Sequence, residues 1–138
     1  MKWMLVALAA LGLAGCAFGI KEDATNAAVT RFTLPVSYQV AYHRAEAFAR
    51  HCHMSDSMWS GSMNVDADLF TETKTGVVHI NMPGGGRDLE RIEITAVGDA
   101  SNIALNTWKV GVWDEIEIMA ARKSMTEGTP VCRNKVLR

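Results

Sequence analysis

The chain has 138 residues, of which 49% are hydrophobic and 21% are charged, and its formal net charge is −1. This length fits one small domain with a single hydrophobic core. The charge is close to neutral and no polybasic segment is present. Composition therefore argues against a nucleic-acid-binding protein and against a peripheral binder of anionic lipid.

The first residues have the composition of an export signal. Lys2 supplies a positive charge, residues 3–13 form an uncharged apolar run, and the small pair Ala14 and Gly15 precedes Cys16. A positive start, a short apolar run and small residues at the cleavage site are typical of a secretory signal peptide. The apolar run is too short to span a bilayer comfortably.

The tetrapeptide Leu13-Ala14-Gly15-Cys16 resembles the lipobox of bacterial lipoproteins. The resemblance implies that residues 1–15 are removed, and that an acylated Cys16 attaches the mature chain to a membrane with its domain in the periplasm. Ala17 stands where an aspartate would be the inner-membrane retention signal of enterobacterial relatives, so the resemblance implies the outer membrane. An ordinary secretory signal and an uncleaved anchor are the alternatives.

Two cysteines remain once Cys16 is assigned to lipid, and they are Cys52 and Cys132. Exported compartments oxidise thiols, so a Cys52–Cys132 disulfide is predicted. Closing a loop of about 80 residues is expected to stabilise the domain by about 4–5 kcal/mol on the chain-entropy model. Two buried free thiols or a pair of metal ligands are the alternatives.

Residues 16–30 show weak periodicity and are predicted to be the lipidated N-terminus and a tether, with a reach of roughly 20 Å. Residues 31–138 are predicted to form a single domain that starts with a strand at 31–34, before Pro35. Apolar residues then recur at the spacing of one helical face and predict a first helix that ends near the first cysteine of the proposed bridge. These residues are Tyr38, Ala41, Tyr42, Ala45, Phe48, Ala49 and Cys52.

Residues 53–64 are rich in serine and are predicted to be a loop. Alternation of apolar and polar residues then predicts four strands, at 65–69, 77–80, 92–96 and from 103 toward 110. A second helix is indicated by the apolar residues Trp113, Ile116, Met119 and Ala120. The order strand, helix, four-strand meander, helix predicts an α+β two-layer sandwich of helix-grip type, in which two helices cover a mainly antiparallel sheet.

One group of residues has the chemistry of a soft-metal site. It consists of His51, His53, Met54, Met58 and Met63. Imidazole and thioether ligands suit Cu(I), so an exported loop carrying both could bind copper. The competing interpretation is structural, because methionine fills cores and histidine is favourable at a helix C-terminus. The spacing matches no recognised metal motif, and no metal or other cofactor is predicted.

Catalytic motifs are difficult to assemble from this sequence. Ser60-Gly61-Ser62 is too short to be a nucleophile elbow. The glycine-rich run at 83–86 lies between two predicted strands, whereas a phosphate loop joins a strand to a helix. A small hydrolase would need an open polar cleft lined by His79 or by the Asp66 and Asp68 pair. No catalytic residue is predicted.

The lipobox together with the order of elements resembles small proteobacterial lipoproteins of unknown function. It is also loosely similar to the helix-grip domains of accessory lipoproteins in outer-membrane assembly complexes. The resemblance implies a non-catalytic cell-envelope lipoprotein that binds an envelope protein partner or supports envelope integrity. A periplasmic copper-binding protein and a small hydrolase are the alternative functions.

Overall fold

The structure is a computed structural model that describes residues 19–54, 63–84, 86–109 and 115–136. Its elements follow the predicted order, apart from a π-helical turn and a short third helix that the sequence does not predict. They are β1 (Ala27–Leu34), α1 (Tyr38–Ala49) with a π-helical turn (Arg50–Met54), β2 (Asn64–Phe70), β3 (Thr75–Asn81), β4 (Asp88–Val97), β5 (Ala100–Trp108), α2 (Glu115–Glu127) and α3 (Arg133–Val136).

The five strands form one sheet in the order β1-β5-β4-β3-β2, and every neighbouring pair is antiparallel. Strands β2 to β5 are the predicted meander. The last of them, β5, pairs with β1, which forms the edge of the sheet opposite β2. Helix α1 packs across β2 to β5, and α2 packs against α1 and β1. The predicted α+β fold, with helices covering an antiparallel sheet, is confirmed.

Helix α1 buries the face that its apolar spacing predicts, including the fully buried Phe48. Its first turn is capped by Ser37, whose Oγ accepts a hydrogen bond of 3.3 Å from the backbone N–H of Val40. Gly76 on β3 lies directly under the helix, and a Cβ there would stand 2.8 Å from Cδ2 of Tyr42. The glycine therefore lets the helix approach the sheet closely.

The domain begins earlier than the sequence predicts. Strand β1 starts at Ala27, and both Gly19 and Ile20 are buried. The Ile20 N–H donates a 2.7 Å hydrogen bond to the carbonyl of Asp88, and the Asn26 side-chain amide donates one of 2.9 Å to the Gly19 carbonyl. From Gly19 onward the predicted tether is thus part of the fold. The weak periodicity of this segment reflects a turn that the side chain of Asn26 closes by hydrogen bonding to Gly19 and Lys21.

The disulfide between Cys52 and Cys132 is present, with the two Cα atoms 5.3 Å apart. It joins the π-helical turn after α1 to the segment that precedes α3. Cys16 and the rest of the proposed signal lie outside the described residues. In the described parts of the chain, no helix has the length and apolar character needed to cross a membrane.

Helix α2 buries only part of the predicted stripe, because Ala120 is buried whereas Ile116 is only partly buried. Met119 is 48% exposed, and Trp113 lies outside the described residues. The buried residues are Glu117, Ala120, Ala121, Ser124 and Met125. Ala120, Ala121 and Ser124 are small and let α2 pack closely against α1, and Met125 is the one large apolar side chain among these buried residues.

Candidate functional site

The residues proposed for copper are divided between the surface and the core. His51 and Met54 are exposed, whereas His53 and Met63 are buried. Met54 Sδ lies 3.6 Å from the guanidinium of Arg50, which donates to it. Met58 lies outside the described residues. The described part of the proposed loop therefore does not present its histidines and methionines on one surface.

The residues considered for catalysis lie on the sheet face opposite the helices. Asp66 and Asp68 are exposed on β2, and Asp66 stands opposite His79 of β3 in the strand register. His79 Nδ1 lies 2.8 Å from Oδ2 of Asp88. This hydrogen bond raises the pKa of His79 above its ordinary value, and partial burial opposes the increase. Ser60 and Ser62 lie outside the described residues.

We call this surface, which no helix of the described residues covers, the open face. Side chains alternate between the two faces of a strand, and most residues of the three central strands that face the helices are buried. The alternate positions form the open face. Its central members are Arg31, Thr33, His79, Arg91, Glu93, Thr95, Asn102, Ala104 and Asn106.

A network of polar side chains crosses the open face from β3 to β5. Asp88 contacts His79 on one side, and its Oδ2 lies 3.8 Å from Nη1 of Arg91 on the other. Arg91 Nε lies 3.2 Å from Oε1 of Glu93, and the Asn106 amide donates a 3.4 Å hydrogen bond to Oε2 of Glu93. Such contacts hold the charged groups of the open face in fixed positions.

A shallow groove of about 450 Å³ lies beside this network, over β1, β5 and β4. Arg31 and Glu93 place opposite charges along it, and Thr33 donates a 2.9 Å hydrogen bond to Asn102 in its wall. The groove therefore offers hydrogen-bonding groups and charges of both signs.

A second polar cluster is enclosed between the helices and the sheet. His53, Glu90 and Glu117 are 7%, 0% and 1% exposed. His53 Nε2 lies 2.8 Å from Oε1 of Glu117 and 4.0 Å from Oε2 of Glu90. We call these three residues the buried His–Glu–Glu cluster.

Irregular backbone places two members of this cluster. His53 belongs to the π-helical turn that extends α1. A β-bulge near Ile80 and Asn81 shifts the register of β3 against β4, so that the consecutive residues Leu89 and Glu90 are both buried. Single π-turns and bulges are frequent beside functional sites because they redirect side chains.

The pKa of Glu90 is raised well above its ordinary value. Burial is the largest cause, followed by the charge of Glu117 and then by a hydrogen bond shared with Glu117. Two ionised carboxylates cannot donate to each other, and neither Glu90 oxygen accepts a hydrogen bond from a donor among the described residues.

The buried His–Glu–Glu cluster was not predicted from the sequence, although two signals could have found it. Continuing the alternation back from Ile94 and Ile92 places Glu90 on the buried face of β4. Glu117 lies three and four residues before Ala120 and Ala121, which places it on the same face of α2 as these small residues. Both glutamates therefore fall on a buried face, and a glutamate is rarely buried unless its charge is paired.

No family model matches the chain, and no curated protein is significantly similar to it.

Proposed function

We propose that the chain is a non-catalytic, lipid-anchored protein of the bacterial cell envelope, and that its open face binds another envelope protein. The observation that carries this proposal is the polar network from His79 to Asn106 on a sheet face that the described helices leave uncovered. Charged side chains held in place before binding lose less conformational freedom when a partner arrives.

The charges of the open face favour a protein partner. Arg31 and Arg91 lie among Glu93, Asp66 and Asp68, so both signs are interspersed. A nucleic acid or an anionic lipid surface would call for a face dominated by positive charge. A protein surface with complementary charges fits a mixed pattern.

The lipobox supports membrane attachment, and the buried position of Gly19 supports attachment at a short distance. Gly19 is packed against the first residues of β4, where a Cβ on it would stand 2.8 Å from the carbonyl oxygen of Asp88. Gly19 is three positions after Cys16, which is a span of at most about 10 Å. An acyl group on Cys16 would hold this end of the sheet beside the bilayer.

Site-specific photocrosslinking in intact cells tests the proposal. A photoreactive amino acid replaces Thr95 or Asn102 on the open face of the full chain, and the matched controls replace the exposed residues Gln39 of α1 and Met119 of α2. We expect one discrete crosslinked product from the open face and none from the helices.

Charge reversal and mass spectrometry complete this test. Arg31→Glu should reduce the crosslinked product several-fold, because it reverses one charge of the groove. The mass of the mature protein should show acylated Cys16 at its N-terminus. Equal crosslinking from both faces would contradict the assignment of the open face, and an unmodified Cys16 would contradict the anchor.

A further inference from the structure

We propose that His53, Glu90 and Glu117 together bind one divalent transition-metal ion of the zinc class inside the domain. The site is separate from the open face, and the proposal does not depend on the function proposed above. It also differs from a copper site in the 51–63 segment, because two of its three ligands come from β4 and α2.

The geometry of the cluster is close to that of a metal site. One ligand atom from each residue can be chosen so that all three lie within 4.8 Å of one another. Bonds from Zn²⁺ to nitrogen and oxygen are about 2.0–2.2 Å long, so ligand atoms on one ion lie within about 4.4 Å of each other. Side-chain shifts of less than about 1 Å would therefore complete the coordination.

The charge of the cluster also favours a divalent cation. Glu90 and Glu117 are almost completely buried, and burying two carboxylates side by side is costly unless their charge is compensated. A single M²⁺ ion would neutralise both carboxylates. It would also bind the Glu90 side-chain oxygens, to which no group among the described residues donates a hydrogen bond. Neutral His53 would contribute an imidazole nitrogen.

The ligand types narrow the choice of metal. Carboxylate oxygen and imidazole nitrogen suit Zn²⁺ and neighbouring divalent ions, whereas Cu(I) prefers thiolate and thioether sulfur. Mg²⁺ and Ca²⁺ prefer sites made of oxygen atoms. Zn²⁺ is therefore the probe that fits the three side chains best.

The ligands also come from three separate elements, namely the π-helical turn, β4 and α2. A metal ion bound to all three would connect the end of α1, the sheet and the second helix. Metal that binds only the folded state stabilises that state by mass action. A rise in the melting temperature is thus a second readout, independent of the titration.

The test uses the full chain, purified in detergent and stripped of metal with a chelator. Zn²⁺ is titrated against a chromophoric competitor, and we expect one equivalent to bind. Glu117→Gln and His53→Gln should each weaken binding about 100-fold or more, since each removes a direct ligand and even outer-shell changes cost 10–100-fold. His51→Gln, on the exposed histidine two residues from His53, is the matched control and should bind as the wild type does.

At a free Zn²⁺ concentration about 100 times the Kd, the melting temperature of the wild type should rise by on the order of 10 °C. Glu90→Gln should fold without metal and show no such rise. If a variant fails to fold, X-ray absorption of the zinc-loaded wild type tests the site directly, and we expect nitrogen and oxygen ligands with one imidazole.

Four results would overturn the proposal, three of which concern the wild type, Glu117→Gln and the coordination shell. These three are no stoichiometric Zn²⁺ binding by the wild type, binding that Glu117→Gln leaves intact, and sulfur in the coordination shell. Binding lost in His51→Gln but retained in His53→Gln would also overturn it, because the metal would then lie on the surface. In a parallel titration, the three ligands should bind Cu(I) no more tightly than they bind Zn²⁺.

Discussion

Removal of the Cys52–Cys132 disulfide should destabilise the domain by about 4.5 kcal/mol at 25 °C. The two cysteines are 80 residues apart in sequence, so the bridge restricts most of the unfolded chain. The chain-entropy relation for a closed loop of about that length gives this figure. Small domains have a total unfolding free energy of only about 5–15 kcal/mol, so the loss would be a large fraction of it.

Urea unfolding of the Cys52→Ala/Cys132→Ala double variant, followed by circular dichroism, measures this loss. With a urea m-value of about 2 kcal/mol/M, the midpoint should fall by about 2 M. The matched control is Cys16→Ser, which removes the third cysteine and leaves the bridge intact. A midpoint shift below about 0.5 M in the double variant would refute the loop-entropy reasoning.

Three further perturbations follow from the packing and hydrogen bonds. Gly76→Ala should cost about 1–3 kcal/mol in urea unfolding, because its Cβ would overlap Tyr42, and the additional change Tyr42→Leu should recover part of that loss. Ser124→Ala should cost about 1–3 kcal/mol, because the buried Ser124 hydroxyl accepts a 2.7 Å hydrogen bond from Val131 N–H. His79 has a raised pKa in the folded state because of its hydrogen bond to Asp88. Its pairing therefore stabilises the fold below pH 6.5, and this contribution is lost as the pH rises through the raised pKa.

Each of these expectations has a result that contradicts it. Unchanged stability of Gly76→Ala would mean that the Tyr42 ring moves aside at no cost. For Ser124, the Thr variant should retain the hydrogen bond, and equal losses from Ala and Thr would point to packing instead. The His79 contribution is the difference between wild type and His79→Gln across pH 5.5–8.5, and a difference that is constant with pH would contradict the assignment.

The local patterns of the sequence predict most of the fold. Helix α1 is identified by one apolar face, and β2 to β5 are identified by alternation between turns. Both signals depend on residues that are close together in sequence. The pairing of Cys52 with Cys132 follows from the cysteine count once Cys16 is assigned to the lipid.

What the sequence did not predict depends on distant contacts. The early start of the domain at Gly19 requires its packing against β4, which local periodicity does not encode. Sequence proximity and ligand chemistry group His53 with the neighbouring methionines. In the fold its nearest charged groups are Glu90 and Glu117, which are 37 and 64 residues further along the chain.

The pairing of β1 with β5 has a consequence for the order in which the domain assembles. Thr30 stands opposite Leu105, so the first strand to emerge from synthesis or translocation has no partner until almost the whole meander has followed. Non-local strand pairing of this kind is slow, because a long loop must close before the contact forms. During that interval β1 is an unpaired strand, and unpaired strands invite association between chains. Its protection until β5 arrives would then depend on holding chaperones or on rapid completion of the chain.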